Sequence, residues 1–368
     1  MLLWPTTKRP RKSGPGLAEM PGRFGSRQWV RRRKAFAARR GNAATSSRRG
    51  LGHLWLVFFV CLLALTGFQP GLATSSLEFL IQRRANSRAK SESYGAPRKL
   101  GELQDTAVTE SSGLVASRRT PGLYWTHNDS GGGPLLYAFD SHGKSRGVWR
   151  VAGGQARDWE DIAIGPGPVA KRPYVYVGDI GDNEERRSEL VVYRVSEPAI
   201  MTADARSTRA APRLTESAEA IRLRYPDGKH DAETLLIHPA TGNLYIITKK
   251  LLRNPGIYVA KAPLNSLGTT TLAHLGDLSI PGLLGGMITG GDISPDGSRV
   301  ALCDYLRGYE LVLGRRSSLF DDVWKQPIRT IELGSRKQGE GICYRLDGKA
   351  LLTTSEGRHS PLIEVVRK

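Results

Sequence analysis

A chain of 368 residues with 54 Lys and Arg against 35 Asp and Glu carries a formal charge of +19, which taken whole would suggest a polyanionic partner. The excess is local: residues 1–53 hold fourteen basic side chains and one acid, Glu19, residues 54–100 hold six and two, and residues 101–368 keep only +2. A nearly neutral body offers no footprint for a phosphate backbone, so nucleic acid is excluded as a partner.

In chain order, residues 1–53 read as a basic arm without an apolar pattern. The apolar run Leu54–Leu65, LWLVFFVCLLAL, is too short for a membrane span of about 20 residues and fits a signal-peptide core of about 7–15. Residues 54–73 therefore read as a signal core and cleavage region, with Gly71 and Ala73 as the small residues and the cut after Ala73. Upstream, Ser47-Arg48-Arg49-Gly50-Leu51 resembles a twin-arginine signal, with the general secretory route as the alternative. These features predict a secreted, periplasmic or cell-surface protein; the alternative is an anchor formed by residues 54–68, the one membrane contact expected. Residues 74–97 are polar and read as a linker.

From residue 98 to residue 368 the chain repeats itself. Five segments share an acid or polar residue, a spacer and an apolar run: Glu110-Ser111-Ser112-Gly113-Leu114, Asp158-Trp159-Glu160-Asp161-Ile162, Asp231-Ala232-Glu233-Thr234-Leu235, Thr289-Gly290-Gly291-Asp292-Ile293 and Gln338-Gly339-Glu340-Gly341-Ile342. Their spacing of about 50–70 residues is that of a propeller blade. Each is followed by a turn and a second β-rich run, such as Tyr174–Val177 or Leu244–Ile247, and then by a third, such as Leu190–Tyr193 or Gly256–Val259. Fourth strands are read at 147–151, 220–223, 271–275 and 328–331. The fifth copy stops at Lys368 after its third strand, and Lys99–Leu103 is the spare strand that would close the ring. The fold class is thus all-β: a single propeller of four-stranded antiparallel blades, five in number, or six if the long 162–231 interval conceals another. Helical periodicity is nearly absent, which argues against a helical enzyme domain. Of three cysteines, Cys61 lies in the signal core, and Cys303 and Cys343 read as buried thiols, with a disulfide as the alternative.

In such a ring the loops ahead of each first strand and after each second strand open on one face. That geometry gathers Glu110, Arg157, Asp158, Glu160, His230, Glu233, Lys249, Glu340 and Arg358 as candidate binding residues at the channel mouth. Carboxylates crowded there need a cation or fixed Lys and Arg partners. Glu160, Asp179, Asp182, Asn183, Glu233 and Asp292 are hard oxygen donors suited to a Ca²⁺ ion, while acids in Asp-Gly and Asn-rich loops also serve as turn formers and structural ion pairs. His127 beside Asp129 is the one acid/base pair on offer, against a plain turn histidine. Nucleophile elbow, zinc and phosphate-loop signatures are absent.

The motifs ESSGL, WTHNDSGG, DWEDIAIG, YVGDIGDN, DAETLLIHP, GGDISPDG and GEGICYRLDG together resemble a group of exported bacterial β-propeller proteins, and more distantly the esterase-like phytases and the calcium-dependent, gluconolactonase-like propellers. The resemblance covers about residues 100–368 and is most specific around Trp125–Gly132 and Asp158–Asn183. In the lactonase-like group, Glu, Asn and Asp from different blades hold the metal, which implies Glu160 or Glu233, Asn183 and Asp292 here. Those propellers have six blades, where this chain shows five motifs. Two functions follow as expectations. The first is a monomeric binding module that takes a small polar or anionic ligand, or a protein partner, at the mouth. The alternative is a Ca²⁺-dependent hydrolase of phosphate esters or lactones.

Overall fold

The computed structural model describes residues 94–281 and 286–368, all within the compact unit Ser75–Lys368. The readings of a basic arm, a signal core and most of the linker fall outside the described residues.

Among the described residues, twenty-two strands form five sheets. After β1 (Arg98–Glu102), blade one comprises β2 (Ser111–Ala116), β3 (Leu123–Asn128), β4 (Leu135–Asp140) and β5 (Ser145–Ala152). Blade two contains β6 (Trp159–Pro166), β7 (Pro173–Asp179) and β8 (Leu190–Ser196), and, after the excursion through β9 (Arg213–Ser217), β10 (Glu219–Arg224). Blade three is β11 (Ala232–Ile237), β12 (Leu244–Thr248), β13 (Gly256–Ala260) and, past the short β14 (Thr269–Thr271), β15 (Ala273–Asp277). Blade four is β16 (Gly290–Ile293), β17 (Arg299–Cys303), β18 (Arg307–Val312) and β19 (Arg329–Glu332); blade five is β20 (Gly339–Tyr344), β21 (Ala350–Ser355) and β22 (Pro361–Val366). Each blade is an antiparallel meander, and the inner strands β2, β6, β11, β16 and β20 neighbour one another in turn, with β20 returning to β2. The fold is a five-bladed β-propeller.

The repeats read from sequence coincide with these blades, and β1 pairs antiparallel with β22, Arg98 opposite Glu364, as the closing strand. The 162–231 interval conceals no sixth blade. Its extra length forms β9, which runs parallel to β5 and makes blade one five-stranded; likewise β14 pairs parallel with β10 on blade two. The segment read as one strand over 271–275 is therefore two, shared between neighbouring blades. Both additions cover outer edges whose N–H and C=O groups would otherwise lack partners.

Five clusters of buried side chains each lie between two successive blades: Trp125, Trp149, Trp159 and Val177 join blades one and two, and Tyr176, Ile221, Leu235 and Ile246 join two and three. Leu236, Tyr245, Leu302 and Leu311 fill the next gap, Cys303, Ile342 and Leu351 the one after, and Leu114, Tyr137, Cys343 and Leu362 close the circuit. Sheets buried on both faces have near-continuous apolar inner strands, which explains the fully buried patterns of β2, β11 and β20. Cys303 and Cys343 are free, buried thiols, and the Cys303 thiol donates to Glu340 O at 3.0 Å.

Candidate functional site at the channel mouth

Irregular pairing between first and second strands builds the site. In blade two the ladder pairs Trp159 with Asp179 and Asp161 with Gly178, leaving Glu160 unopposed. In blade three it skips Glu233, and in blade five Glu340 and Gly341. A bulge of this kind frees one side chain from the pleat and re-aims it. The three glutamates that recur in the repeat thus sit at equivalent breaks in three inner strands. They are 3%, 7% and 5% exposed in chain order.

Around them the loops add Asp129, Asp158 and Asp231. One carboxylate oxygen from each of Asp129, Asp158 and Glu160 lies within 4.8 Å of the others. Among the described residues no Lys or Arg forms an ion pair with any of the three. Burial, reinforced by the charges of Glu233, Asp129 and Asp158, pushes the Glu160 carboxyl well above its usual range. Burial and the Asp129 and Asp231 charges lift Asp158 to about 6, and burial raises Asp129. Gly181 passes directly beneath, where a Cβ would collide with Glu160 Oε1 and Asp158 Oδ2. The glycine leaves room for the two acids to approach each other.

On the opposite side Lys249 pairs with Glu233 and lies 5.8 Å from the Tyr305 ring centre. Burial, with the Asp231 and Asp129 charges, lifts Glu233, Lys249 pulls it back, and it rests at about 7. Gln338 Nε2 donates to Glu340 Oε1 at 3.1 Å and to Glu356 Oε1 at 2.7 Å, and burial with the Glu356 charge holds Glu340 well above its usual range. Glu233 Oε2 and Glu340 Oε2 are buried without a hydrogen-bond partner. A buried oxygen left in that state is costly.

The remaining sequence candidates are placed differently. Asp179 is spent on structure: Arg187 Nη1 pairs with its Oδ1 at 2.8 Å, and the backbone N–H groups of Arg157 and Asp158 donate to the carboxylate. Asp182 accepts from Arg187 N at 2.6 Å, and Asn183 is exposed beyond it. Asp292, at a regular position of β16, accepts from Tyr344 N on β20 at 2.9 Å and ties blade four to blade five. Asp161 does the same from blade two to blade three through Leu235 N at 2.9 Å. The expected pair of His127 and Asp129 is not formed. His127 is fully buried, its Nδ1 is 2.9 Å from Asn128 O, and its ring meets Trp159 edge-on at 5.7 Å; burial lowers its pKa to about 4. The alternation of β3 turns it into the core between blades, away from the mouth.

His230 belongs to a side network with Asp227, Tyr258 and Lys250. Glu110 is half-buried and bridges through its backbone to Glu356. Arg157 and Arg358 are exposed. Reasoning from sequence placed Gly181 and Tyr305 at the mouth among the second-strand exits, and missed Arg187 and Gln338 as parts of the site. Gln338 occupies the place in its repeat that Asp158 and Asp231 hold in theirs, and that alignment was the available signal.

No family model matches the chain, and no curated protein matches it. Among solved structures it is similar to a chain of the crystal structure of a nidogen/laminin complex, at 14% identity and a TM-score of 0.37, over 67% of this chain and 72% of that one. A likeness at that level says nothing of what the chain binds.

Proposed function

We propose that the channel mouth holds a divalent, oxygen-seeking cation of the Ca²⁺ type, and that the propeller is an ion-dependent binding module for a small polar or anionic ligand. The convergence of Asp129, Asp158 and Glu160 without a cationic partner carries the reading. Hard carboxylate oxygens from separate loops suit Ca²⁺, whose coordination tolerates irregular geometry. The donor set fits: Gly181 leaves the space, and Glu340 Oε2 and the Glu233 oxygen that Lys249 does not take are buried without a hydrogen-bond partner. Asp129 and Asp158 thereby replace Asn183 and Asp292 in the ligand set implied by the lactonase-like resemblance. An ion there would supply an electrophilic anchor for a ligand oxygen.

Hydrolysis of phosphate esters or lactones is the second reading, favoured by one observation. Glu233, near 7 and paired with Lys249, can hold or give up a proton at neutral pH.

Thermal melting of the chain in EDTA and then in excess Ca²⁺ tests the first reading. Saturation at about a hundred times Kd stabilises by about 2.7 kcal/mol, so Tm rises by several degrees, and Glu160→Gln removes the rise. An unchanged Tm in both conditions sinks the ion and the module built on it. If Ca²⁺ binds, turnover on ester and lactone panels that vanishes in Glu233→Gln, with the Ca²⁺ shift retained, establishes the second reading.

A further inference from the structure

Among the described residues, the mouth has an apolar rim on the side of blades three and four. The loop between β12 and β13 presents Leu251 and Leu252, 54% and 61% exposed, and the loop between β17 and β18 presents Leu306, 59% exposed. These loops belong to adjacent blades, since β11 neighbours β16. They meet at the site itself: Lys249, which pairs with Glu233, lies against the ring of Tyr305, next in sequence to Leu306.

Leu252 carries a second signal. Its φ is +57°, a left-handed backbone that strains a leucine and that a glycine adopts without penalty. A strained backbone that holds an isobutyl group out in water loses on both counts, unless something covers that group. On the far side of the mouth, blades one and two present carboxylates and the exposed Arg157. Polar and apolar halves therefore share one opening.

We infer that the ligand is an amphipathic small molecule, with an oxygen-rich anionic head directed to the carboxylate cluster and an alkyl or acyl chain lying over Leu251, Leu252 and Leu306. This rests on the ion-dependent reading of the mouth, because an anionic head needs the cation to approach the half-buried Asp129 and Asp158 and the buried Glu160. The chain has an open, one-sided surface, so affinity grows with its length and does not saturate at a fixed size. Full burial of a methylene is worth about 0.8 kcal/mol, close to fourfold in affinity; contact on one side gives about twofold per methylene.

The experiment measures binding of butyl, hexyl, octyl and decyl phosphate to the full chain by calorimetry in Ca²⁺, each below its micelle concentration. Affinity is expected to rise about twofold per methylene. The variant Leu251→Ser/Leu252→Gly/Leu306→Ser should lose the dependence on length and bind decyl phosphate no more tightly than butyl phosphate. Leu252→Gly alone should weaken decyl phosphate while leaving Tm equal or higher, since it relieves the strained backbone; a purely structural Leu252 would lower Tm instead. A Ca²⁺-induced Tm shift with no length dependence overturns the amphipathic ligand and leaves the cation site standing, whereas absence of that shift removes the cation site first. Length dependence that survives in the triple variant also overturns the inference. Flotation with anionic phosphatidylglycerol vesicles, lost in the same variant, would assign the rim to a lipid bilayer and overturn the small-molecule occupant.

Discussion

Asp292 differs from Asp158 and Glu160 in that a backbone donor from a neighbouring blade already holds its carboxylate. Asp292 receives Tyr344 N, yet burial lifts its pKa to about 6. A carboxyl whose folded value lies above its unfolded one of about 3.9 gives stability that is complete below that value and lost as pH rises through 6. Asp292→Asn keeps an acceptor for Tyr344 N and removes the charge. It should therefore stabilise the protein at pH 7 by up to about 3 kcal/mol and flatten the stability slope between pH 4 and 6 in urea titrations. A less stable Asn variant at pH 7 would contradict that account. His127 acts with the opposite sign: neutral in the fold, with a value of about 4, it loses stability as pH falls below 6.5. At Gly181 an added methyl must displace Glu160 or Asp158. Gly181→Ala is expected to cost about 1–3 kcal/mol and to abolish the Ca²⁺-induced rise in Tm, both readable in one melting series.

At the scale of single elements, β1 has the largest consequence for its size. Its five residues complete blade five, Arg98 reaches the buried Glu364 at 2.7 Å, and Arg345 reaches the same carboxylate from β21's side at 2.7 Å. Tyr94, just ahead of it, donates to the buried Glu310 of blade four at 2.6 Å. The last blade is thus fastened by the first strand of the described chain, and its edge is covered. Deleting residues 94–102 should lower the unfolding free energy by on the order of 3–5 kcal/mol, from lost ladder bonds and from removal of the Tyr94 donor to Glu310 and the Arg98 partner of Glu364. It should also expose β22 to edge pairing, seen as concentration-dependent association in sedimentation velocity. A truncated chain that stays monomeric with an unchanged urea midpoint would show that closure lies elsewhere.

For the whole molecule, each core cluster is shared by two blades, so no blade keeps a complete core alone. A linear repeat array can unfold from its ends, whereas a closed ring has none. Urea unfolding is expected to be one transition, with coincident far-ultraviolet circular dichroism and tryptophan fluorescence, the latter dominated by Trp125, Trp149 and Trp159 between blades one and two. Two separated transitions would mean that the cores act independently.

The blade count, the strand order and the closing strand were legible in the chain, because the period-two apolar runs and turn residues repeat at a fixed interval and each blade is a local meander. So was the recurrence of Glu160, Glu233 and Glu340, which share one position in the repeat. The sequence could not tell which acids have free oxygens. Asp129, Asp158, Asp179, Asp182 and Asp292 are alike as letters; backbone N–H groups from other strands and the Arg187 guanidinium claim the last three, and Gly181 lets Asp158 close on Glu160. Nor could it foresee that β9 and β14 would cover the outer edges of blades one and two. Those outcomes depend on contacts between residues far apart in the chain, settled only when the five sheets share one axis, while the blade itself is written in neighbouring residues.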